Sequence, residues 1–334
     1  MTLKVAINGF GRIGRCAARL IIESFGDEME LVAINASGGP EVLGHLMKFD
    51  SVHGRFGGAV VPDGNDLRIN GQTVRLTAER DPANLEWDGV DVVLECTGVF
   101  NSKEAASAHI ERGARRVICS APAKNADKTV VYGVNHDTIT ADDVVLSAAS
   151  CTTNCLAPVA KVMHDVVGIE KGFMTTIHSY TGDQPTLDRR HKDPYRGRAA
   201  AMSMVPTTTG AAKAIGLVLP ELDGRLDGAA IRVPTPNVSC VDLTFTPSRK
   251  TTVEEINAAA QAAAQGALNG VLGYDEDPTV SVDYNHTTEG STFAAPQTRI
   301  LHGDLVRVLS WYDNEWGFTN QMLKTALVAG GTIR

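Results

Sequence analysis

Cys151 is preceded by VVLSAAS and followed by Thr152, Thr153, Asn154 and Cys155. That order reads as a strand running into a helix. A cysteine at such a junction lies beside free backbone amides and the positive end of the helix, and both stabilise a thiolate. The thiolate is a nucleophile. A histidine paired with it as an ion pair would lower its pKa further and could carry its proton. Spacing alone does not select that partner among the nine histidines. The same residues also suit a buried, inert cysteine. Cys151 and Cys155 do not read as metal ligands, because no second Cys/His pair completes a site, and no metal is expected.

A second constellation opens the chain. Gly9-Phe10-Gly11-Arg12-Ile13-Gly14 follows the apolar run LKVAIN. Glycines at this spacing permit a tight turn, let the backbone approach a pyrophosphate, and aim a helix N-terminus at its charge. The expected companion is a carboxylate at the end of the next strand, bound to a ribose diol. That place reads Asn35-Ala36-Ser37-Gly38-Gly39. An acid there would repel a 2′-phosphate, whereas a small residue and a hydroxyl would admit one. The pattern raises NADP above NAD; Asn35 or Glu41 binding the diol unaided is the other reading.

Two basic features remain. Arg189, Arg190, His191, Lys192, Arg196 and Arg198 cluster in a loop-like stretch and suit a solvated surface. Arg232 is different, because it sits in the apolar run AAIRVP, and a charge in such a place calls for an anion.

The elements that must hold these residues follow from periodicity. Residues 3–8, 31–35, 91–96, 115–120, 130–134 and 144–147 read as strands, with helices over 12–22 and 103–112. Alternation of this kind predicts a doubly wound parallel sheet. Beyond residue 150 the spacing predicts a helix over 155–167, with Pro158 in its first turn or kinking it. Long β-rich stretches at 172–179, 229–246 and 305–312 predict an antiparallel sheet. Thr252 and Glu255 have capping-box spacing, and 317–333 contains a helical stretch.

Composition agrees with two domains. The chain has 334 residues, 43% hydrophobic and 21% charged. A formal net charge of −8 argues against a general nucleic-acid binder. The start MTLKVAING has no secretory pattern, and no apolar run is long enough for a membrane span, so no membrane partner is expected. Six scattered cysteines point to a reducing cytoplasm.

At these residues the chain resembles the phosphorylating glyceraldehyde-3-phosphate dehydrogenase family. INGFGRIGR, ASCTTNCLAPV, TTIHSYTGDQ, PTTTGAAKAIG, RVPTPNVS and SWYDNEWGF all resemble that family's motifs, in the family's order and nearly end to end. The resemblance implies an α/β fold: a Rossmann domain over 1–150, joined by a C-terminal helix 317–334, and an α+β catalytic domain over 151–316 with a mainly antiparallel sheet. It implies homotetramers. It implies that Cys151 attacks D-glyceraldehyde 3-phosphate, that His178 serves as its base, and that inorganic phosphate cleaves the thioester to 1,3-bisphosphoglycerate.

By the same resemblance, Thr181 and Arg232 hold the substrate phosphate. Ser150, Thr209, Gly210 and Arg196 hold the attacking phosphate, with Thr152 beside them. For NAD or NADP, the implied contacts are Gly9, Arg12 and Ile13 at the pyrophosphate, and Thr97, Gly98, Phe100 and Ser120 at strand ends. Asn314 would orient the nicotinamide amide. Three departures stand out: Ala36 in place of Asp, Arg189-Arg190 in place of Leu-Pro, and Ala148 in place of Asn. The first two suggest that Ser37, Arg80 and an arginine of a neighbouring subunit's loop embrace a 2′-phosphate. The rival readings are an erythrose-4-phosphate dehydrogenase, in which water can cleave the thioester, and a non-catalytic nucleotide- or RNA-binding relative. The intact Cys151 and His178 and the acidic charge count against the latter.

Overall fold

The protein is described over residues 2–333 by a computed structural model. It folds as two compact units. The first comprises the chain up to Val130, His136–Ala149 and the chain from Met322 onward; the second comprises Val131–Asn135 and Ser150–Gln321.

The first unit is built on β1 (Leu3–Asn8), α1 (Arg12–Glu23), β2 (Met29–Asn35) and α2 (Pro40–Lys48). A meander follows: β3 (Val60–Asp63), β4 (Asp66–Ile69) and β5 (Gln72–Thr77). Then come β6 (Val92–Glu95), α3 (Lys103–Glu111), β7 (Arg116–Cys119), β8 (Lys128–Thr129) and β9 (Val145–Ser147). The nine strands form one sheet in the order β8-β9-β7-β6-β1-β2-β5-β4-β3. Pairing is parallel from β8 to β5 and antiparallel in the meander. The runs VAI, VVL and VIC in β1, β6 and β7 are fully buried, as parallel strands covered on both faces require. The order reverses between β1 and β6, so their carboxyl ends open a crevice.

The glycine fingerprint has three separate jobs. Gly9 turns the chain at φ +97. A Cβ on Gly14 would lie 2.0 Å from the Gly9 carbonyl oxygen, so α1 packs against the turn only without one. A Cβ on Gly11 would meet nothing within 4 Å, so the backbone there faces open space.

The second unit begins with α4 (Cys151–Val167) and β10 (Ile169–Ser179). β11 (Val205–Thr208), β12 (Leu226–Val233) and β13 (Ser239–Pro247) follow, then α5 (Val253–Gln265). The remainder is β14 (Leu272–Asp275), β15 (Ser291–Ala294), β16 (Arg299–Leu301), β17 (Leu305–Tyr312) and α6 (Trp316–Gly331). Its sheet runs β11-β12-β10-β13-β17-β15-β14, with β16 on β17. Helix α4 packs across β10, β13, β15 and β17.

Several expectations need correction. Residues 130–134 are not a strand. Pairing ends at Thr129, and the Asn135 side chain accepts from the Val131 amide at 2.9 Å to close a turn. Helix α4 starts at Cys151 rather than 155, because Ser150 caps it, and Pro158 therefore lies inside the helix. The stretch 229–246 is two strands, since Pro234 and Pro236 cannot donate to a ladder. The sheet is mainly antiparallel, yet β10–β12 and β14–β15 are parallel pairs. Thr252 caps α5, but the Glu255 carboxylate turns to Arg249 and Thr251 instead of closing the box. By compactness, Trp316–Gln321 of α6 groups with the second unit and Met322 onward with the first.

Gly14→Ala is expected to destabilise the first unit by about 2–3 kcal/mol. A melting temperature equal to the parent's would show that the α1 packing tolerates a methyl group.

Candidate active site

Ser150 has extended φ/ψ, and its hydroxyl accepts from the Thr153 amide at 3.0 Å. Cys151 is therefore the first residue of a 17-residue helix. The strand β10 brings His178 alongside it, with Nε2 3.5 Å from Sγ. The parallel pairing of β10 and β12 sets Arg232 in register with His178. One guanidinium nitrogen of Arg232 reaches the His178 Nδ1 at 3.1 Å, the Ser179 carbonyl at 3.0 Å and the Thr181 hydroxyl at 3.0 Å. So the structure joins Cys151, His178, Thr181 and Arg232, which lie far apart in the chain.

The tautomer follows from the contacts. Nδ1 has the Ser179 carbonyl at 2.7 Å, closer than the Arg232 nitrogen. The shorter contact selects Nδ1–H as donor, which leaves the Nε2 lone pair facing the thiol. Burial and the Arg232 charge push the imidazole down to about 3. Burial also pushes the Cys151 thiol up, opposed by Arg232 and by the Thr152 hydroxyl and amide. Burial thus works against the charged form of both groups, while Arg232 favours a charged sulfur. With Nε2 3.5 Å from Sγ, the pair has the geometry to pass a thiol proton from sulfur to nitrogen.

Arg196 donates to the Thr207 hydroxyl at 3.1 Å and to Asp183 at 3.1 Å. Burial and the neighbouring charge of Arg196 disfavour the Arg232 cation. The Arg232 Nε is buried and bonded to nothing. Arg196 is paired with Asp183 and Asp193, whereas Arg232 keeps an unbonded Nε, and that donor suits an anion. Asp183, which sequence reasoning missed, holds the Thr181 hydroxyl and Arg196. Thr209 uses its hydroxyl to accept from the Ala211 amide at 3.2 Å, and Gly210 is exposed beside it. Thr152 and Ser150 have structural partners as well: Tyr312 and Thr153. The Asn314 side-chain oxygen accepts from Ser179 and Ser239, each at 2.9 Å, so its amide nitrogen is the end left for a ligand.

In the first unit, Gly9, Asn35, Ala36, Ser37, Arg80, Thr97 and Phe100 line a cleft of ≈ 770 Å³. Gly98 turns between the last two at φ +71. The α1 N-terminus has no side-chain cap, so its amides face that opening. These features fit a dinucleotide. Some expected contacts are otherwise engaged. Arg12 pairs with Asp50, and Ile13 lies beside it in the first turn. The Asn35 amide donates to Asn8 and the Glu79 carbonyl, and its oxygen accepts from Thr77 and the Glu79 amide. That saturates it and leaves no group for a ribose diol. Thr97 donates through its amide and hydroxyl to the buried Glu95. Ser120 bonds the Cys96 thiol. Arg189 and Arg190 are exposed on the loop of the second unit. Ala148 is buried, with its amide on the Cys119 carbonyl, and nothing there explains its replacement of Asn.

The sequence comparisons fit this geometry. Residues 3–103 match the family description "Glyceraldehyde 3-phosphate dehydrogenase, NAD binding domain", and residues 150–314 match its "C-terminal domain". The chain belongs to the glyceraldehyde-3-phosphate dehydrogenase family. It is 62% identical over 330 residues to glyceraldehyde-3-phosphate dehydrogenase of Cereibacter sphaeroides, covering 99% of both chains. It is 61% identical over 332 residues to that of Xanthobacter flavus, again covering 99% of both. The Geobacillus stearothermophilus protein of the same name is 54% identical over 98% of each chain. As a member of this family, the chain carries the NAD-binding domain on the unit with the glycine fingerprint and the C-terminal domain on the unit with the Cys151–His178 pair.

A histidine whose folded pKa is depressed destabilises the folded state in acid. The unfolded chain takes up that proton below about pH 6.5, whereas the folded chain takes it up only near 3. The contribution is therefore fully present above pH 6.5 and lost as pH falls, at up to about 1.4 kcal/mol per pH unit. Denaturant unfolding between pH 4.5 and 7 should show this slope in the parent and a shallower one in His178→Asn. An equal slope in both would overturn the neutral imidazole.

Proposed function

We propose that the protein oxidises D-glyceraldehyde 3-phosphate to 1,3-bisphosphoglycerate, with inorganic phosphate as co-substrate. The observation that carries this is the 3.5 Å contact of Cys151 with His178 beside Arg232. Family membership supplies the substrate class. Cys151 Sγ adds to the aldehyde carbon while His178 Nε2 takes the thiol proton and passes it to the carbonyl oxygen, giving a thiohemiacetal. His178 later receives the hemiacetal hydroxyl proton as the carbon is oxidised. A bound nicotinamide cofactor supplies the hydride acceptor. The resulting thioester is opened by a phosphate oxygen, and His178 returns a proton to the departing sulfur.

Thr181 and Arg232 bind the substrate phosphate; the orphaned Arg232 Nε supports this. By family likeness, Arg196, Ser150, Thr209 and Gly210 hold the attacking phosphate. The presence of both Thr181 and the run Pro206-Thr207-Thr208-Thr209-Gly210 favours the phosphorylating reaction over the erythrose-4-phosphate reading. Turnover without inorganic phosphate should fall at least tenfold. Undiminished NADH production in its absence would assign the hydrolytic reaction instead.

The cofactor is NAD or NADP. Ala36, Ser37 and Arg80 share one cleft with no carboxylate at residue 36, and this supports acceptance of a 2′-phosphate. Arg189 or Arg190 would join them from a second subunit in a homotetramer. Leu187, Tyr195, Met202 and Met204 are exposed in and beside that loop, which supports an assembly covering it. Six free cysteines suit a reducing cytoplasm, and no helix among the described residues is long and apolar enough to cross a membrane.

Comparison of kcat/KM for the two cofactors tests the 2′-phosphate reading. NADP should be used at least as well as NAD, and Ala36→Asp should lower its kcat/KM at least tenfold while sparing NAD. A parent enzyme with strong NAD preference would sink the idea.

A further inference from the structure

Four strands of the first unit end side by side at the crevice, and their last residues are in register. Asn8 of β1 stands opposite Asn35 of β2 on one side and Glu95 of β6 on the other, and Asn35 stands opposite Thr77 of β5. The side chains join in one direction. The Thr77 hydroxyl donates to the Asn35 oxygen at 2.9 Å, and the Asn35 amide donates to the Asn8 oxygen at 2.7 Å. The Asn8 amide then donates to Glu95 Oε2 at 2.5 Å. Asn8, Asn35 and Glu95 are all buried.

Each end of this row holds one rim of the cleft. At one end Asn35 clasps the Glu79 peptide both ways. Its oxygen accepts from the Glu79 amide at 2.9 Å, and its own amide donates to the Glu79 carbonyl at 2.8 Å. At the other end Glu95 Oε1 accepts from the Thr97 amide at 2.8 Å and from the Thr97 hydroxyl. Glu79, Arg80, Thr97 and Phe100 all line the cleft. Beneath Glu95, His109 Nε2 lies 3.1 Å from Oε2, and the other ring nitrogen takes the Trp87 indole hydrogen. The same imidazole meets the Phe100 ring edge to face, with centroids 6.5 Å apart.

We propose that Glu95 is a positioning residue for the dinucleotide, acting through Asn8 and Asn35 to hold both rims of the cleft before the ligand arrives. A side-chain amide has one accepting and one donating end, so an asparagine can be turned either way. The carboxylate removes that choice. An Asn8 oxygen turned toward Glu95 would set oxygen against oxygen, so Asn8 gives Glu95 its amide and keeps its oxygen for Asn35. Asn35 must then give Asn8 its amide, which leaves its oxygen for Thr77 and the Glu79 peptide. The polarity set at β6 thus reaches the segment beyond β5. A buried network aligned this way is cooperative, and rims ordered in advance lower the cost of binding.

The inference rests on the dinucleotide occupying this cleft, so the readouts are binding and amide exchange, not turnover alone. Glu95→Gln keeps the shape but replaces one accepting oxygen with an NH2 group, so a donor meets a donor at Asn8 or at Thr97. ADP-ribose carries the adenosine and both phosphates without the nicotinamide. Titrated by calorimetry into the cofactor-free, full-length variant, it should show a Kd raised at least about tenfold, and NAD should weaken by the same factor. In turnover the loss should fall on KM for NAD, with kcat within about twofold. Hydrogen–deuterium exchange should quicken at least about fivefold in the peptide carrying Glu79 as well as in the one carrying Thr97. A peptide from α4 should exchange as in the parent.

Faster exchange at Thr97 with Glu79 unchanged overturns the row, because the effect would then be local. So does an ADP-ribose Kd equal to the parent's, or a loss confined to NAD. Should Glu95→Gln not fold, Asn8→Ala cuts the row at its middle, and unchanged ADP-ribose affinity with unchanged Glu79 exchange overturns it equally. If the parent binds neither ADP-ribose nor NAD, the cofactor reading of the cleft falls, and the role of Glu95 falls with it.

Discussion

The site depends on one parallel strand pairing. Because β12 runs alongside β10 in register, Arg232 stands next to His178. After burial, that adjacency is the largest influence on the charge of His178. A fixed cation beside a buried imidazole keeps the ring neutral, and a neutral ring can accept the thiol proton. The same cation favours a charged sulfur and any oxyanion brought near it. Had β12 paired one residue out of register, the guanidinium would face the other side of the sheet. The imidazole would then lack its orienting neighbour.

Burial works in two directions here. It disfavours the thiolate, the imidazolium and the guanidinium alike. What offsets it for the sulfur is a set of aligned donors: helix amides from α4, the Thr152 hydroxyl and the Arg232 field. What offsets it for Arg232 is incomplete, since Nε finds no partner. At other cysteines the donors present, such as Ser120 for Cys96 and Ser291 for Cys155, are outweighed by burial. Burial leaves the Cys119 and Cys240 thiols at about 12, and it pushes those of Cys96 and Cys155 higher still. Cys155 is one turn from Cys151 in the same helix, but it lies beyond the first-turn amides, against Ser291. Position along the helix separates a reactive thiol from an inert one.

The first unit shows how the fingerprint glycines divide their labour. One turns the backbone, one leaves it open, and one lets α1 pack down. The network beneath them is less visible in the sequence. Glu95 accepts from Asn8, Thr97 and His109. The Trp87 indole donates to the far nitrogen of His109 at 3.0 Å, and the other nitrogen faces Glu95. This buried chain ties the ends of β1 and β6 together at the mouth of the crevice.

The two-unit plan, the glycine loop and a cysteine at the head of a helix were legible from neighbouring residues alone. They rest on interactions that span a few residues: a turn, a cap, a run of buried β-branched side chains. The helix boundary at Cys151 was misjudged only because Ser150 as a cap competes with Pro158 as a start signal, and the cap won. The false strand at 130–134 failed for a similar reason, since Asn135 and Gly133 make a better turn than a ladder. The partners of Cys151 were not legible without the family motifs. His178 is 27 residues from Cys151, and Tyr312 is 160 from Thr152. Which of nine histidines meets the thiol depends on strand order and register, and those emerge only when the sheet closes on α4. The dielectric surroundings and the Arg232 charge that act on Cys151 and His178 likewise belong to the packed unit, and no local spacing encodes them.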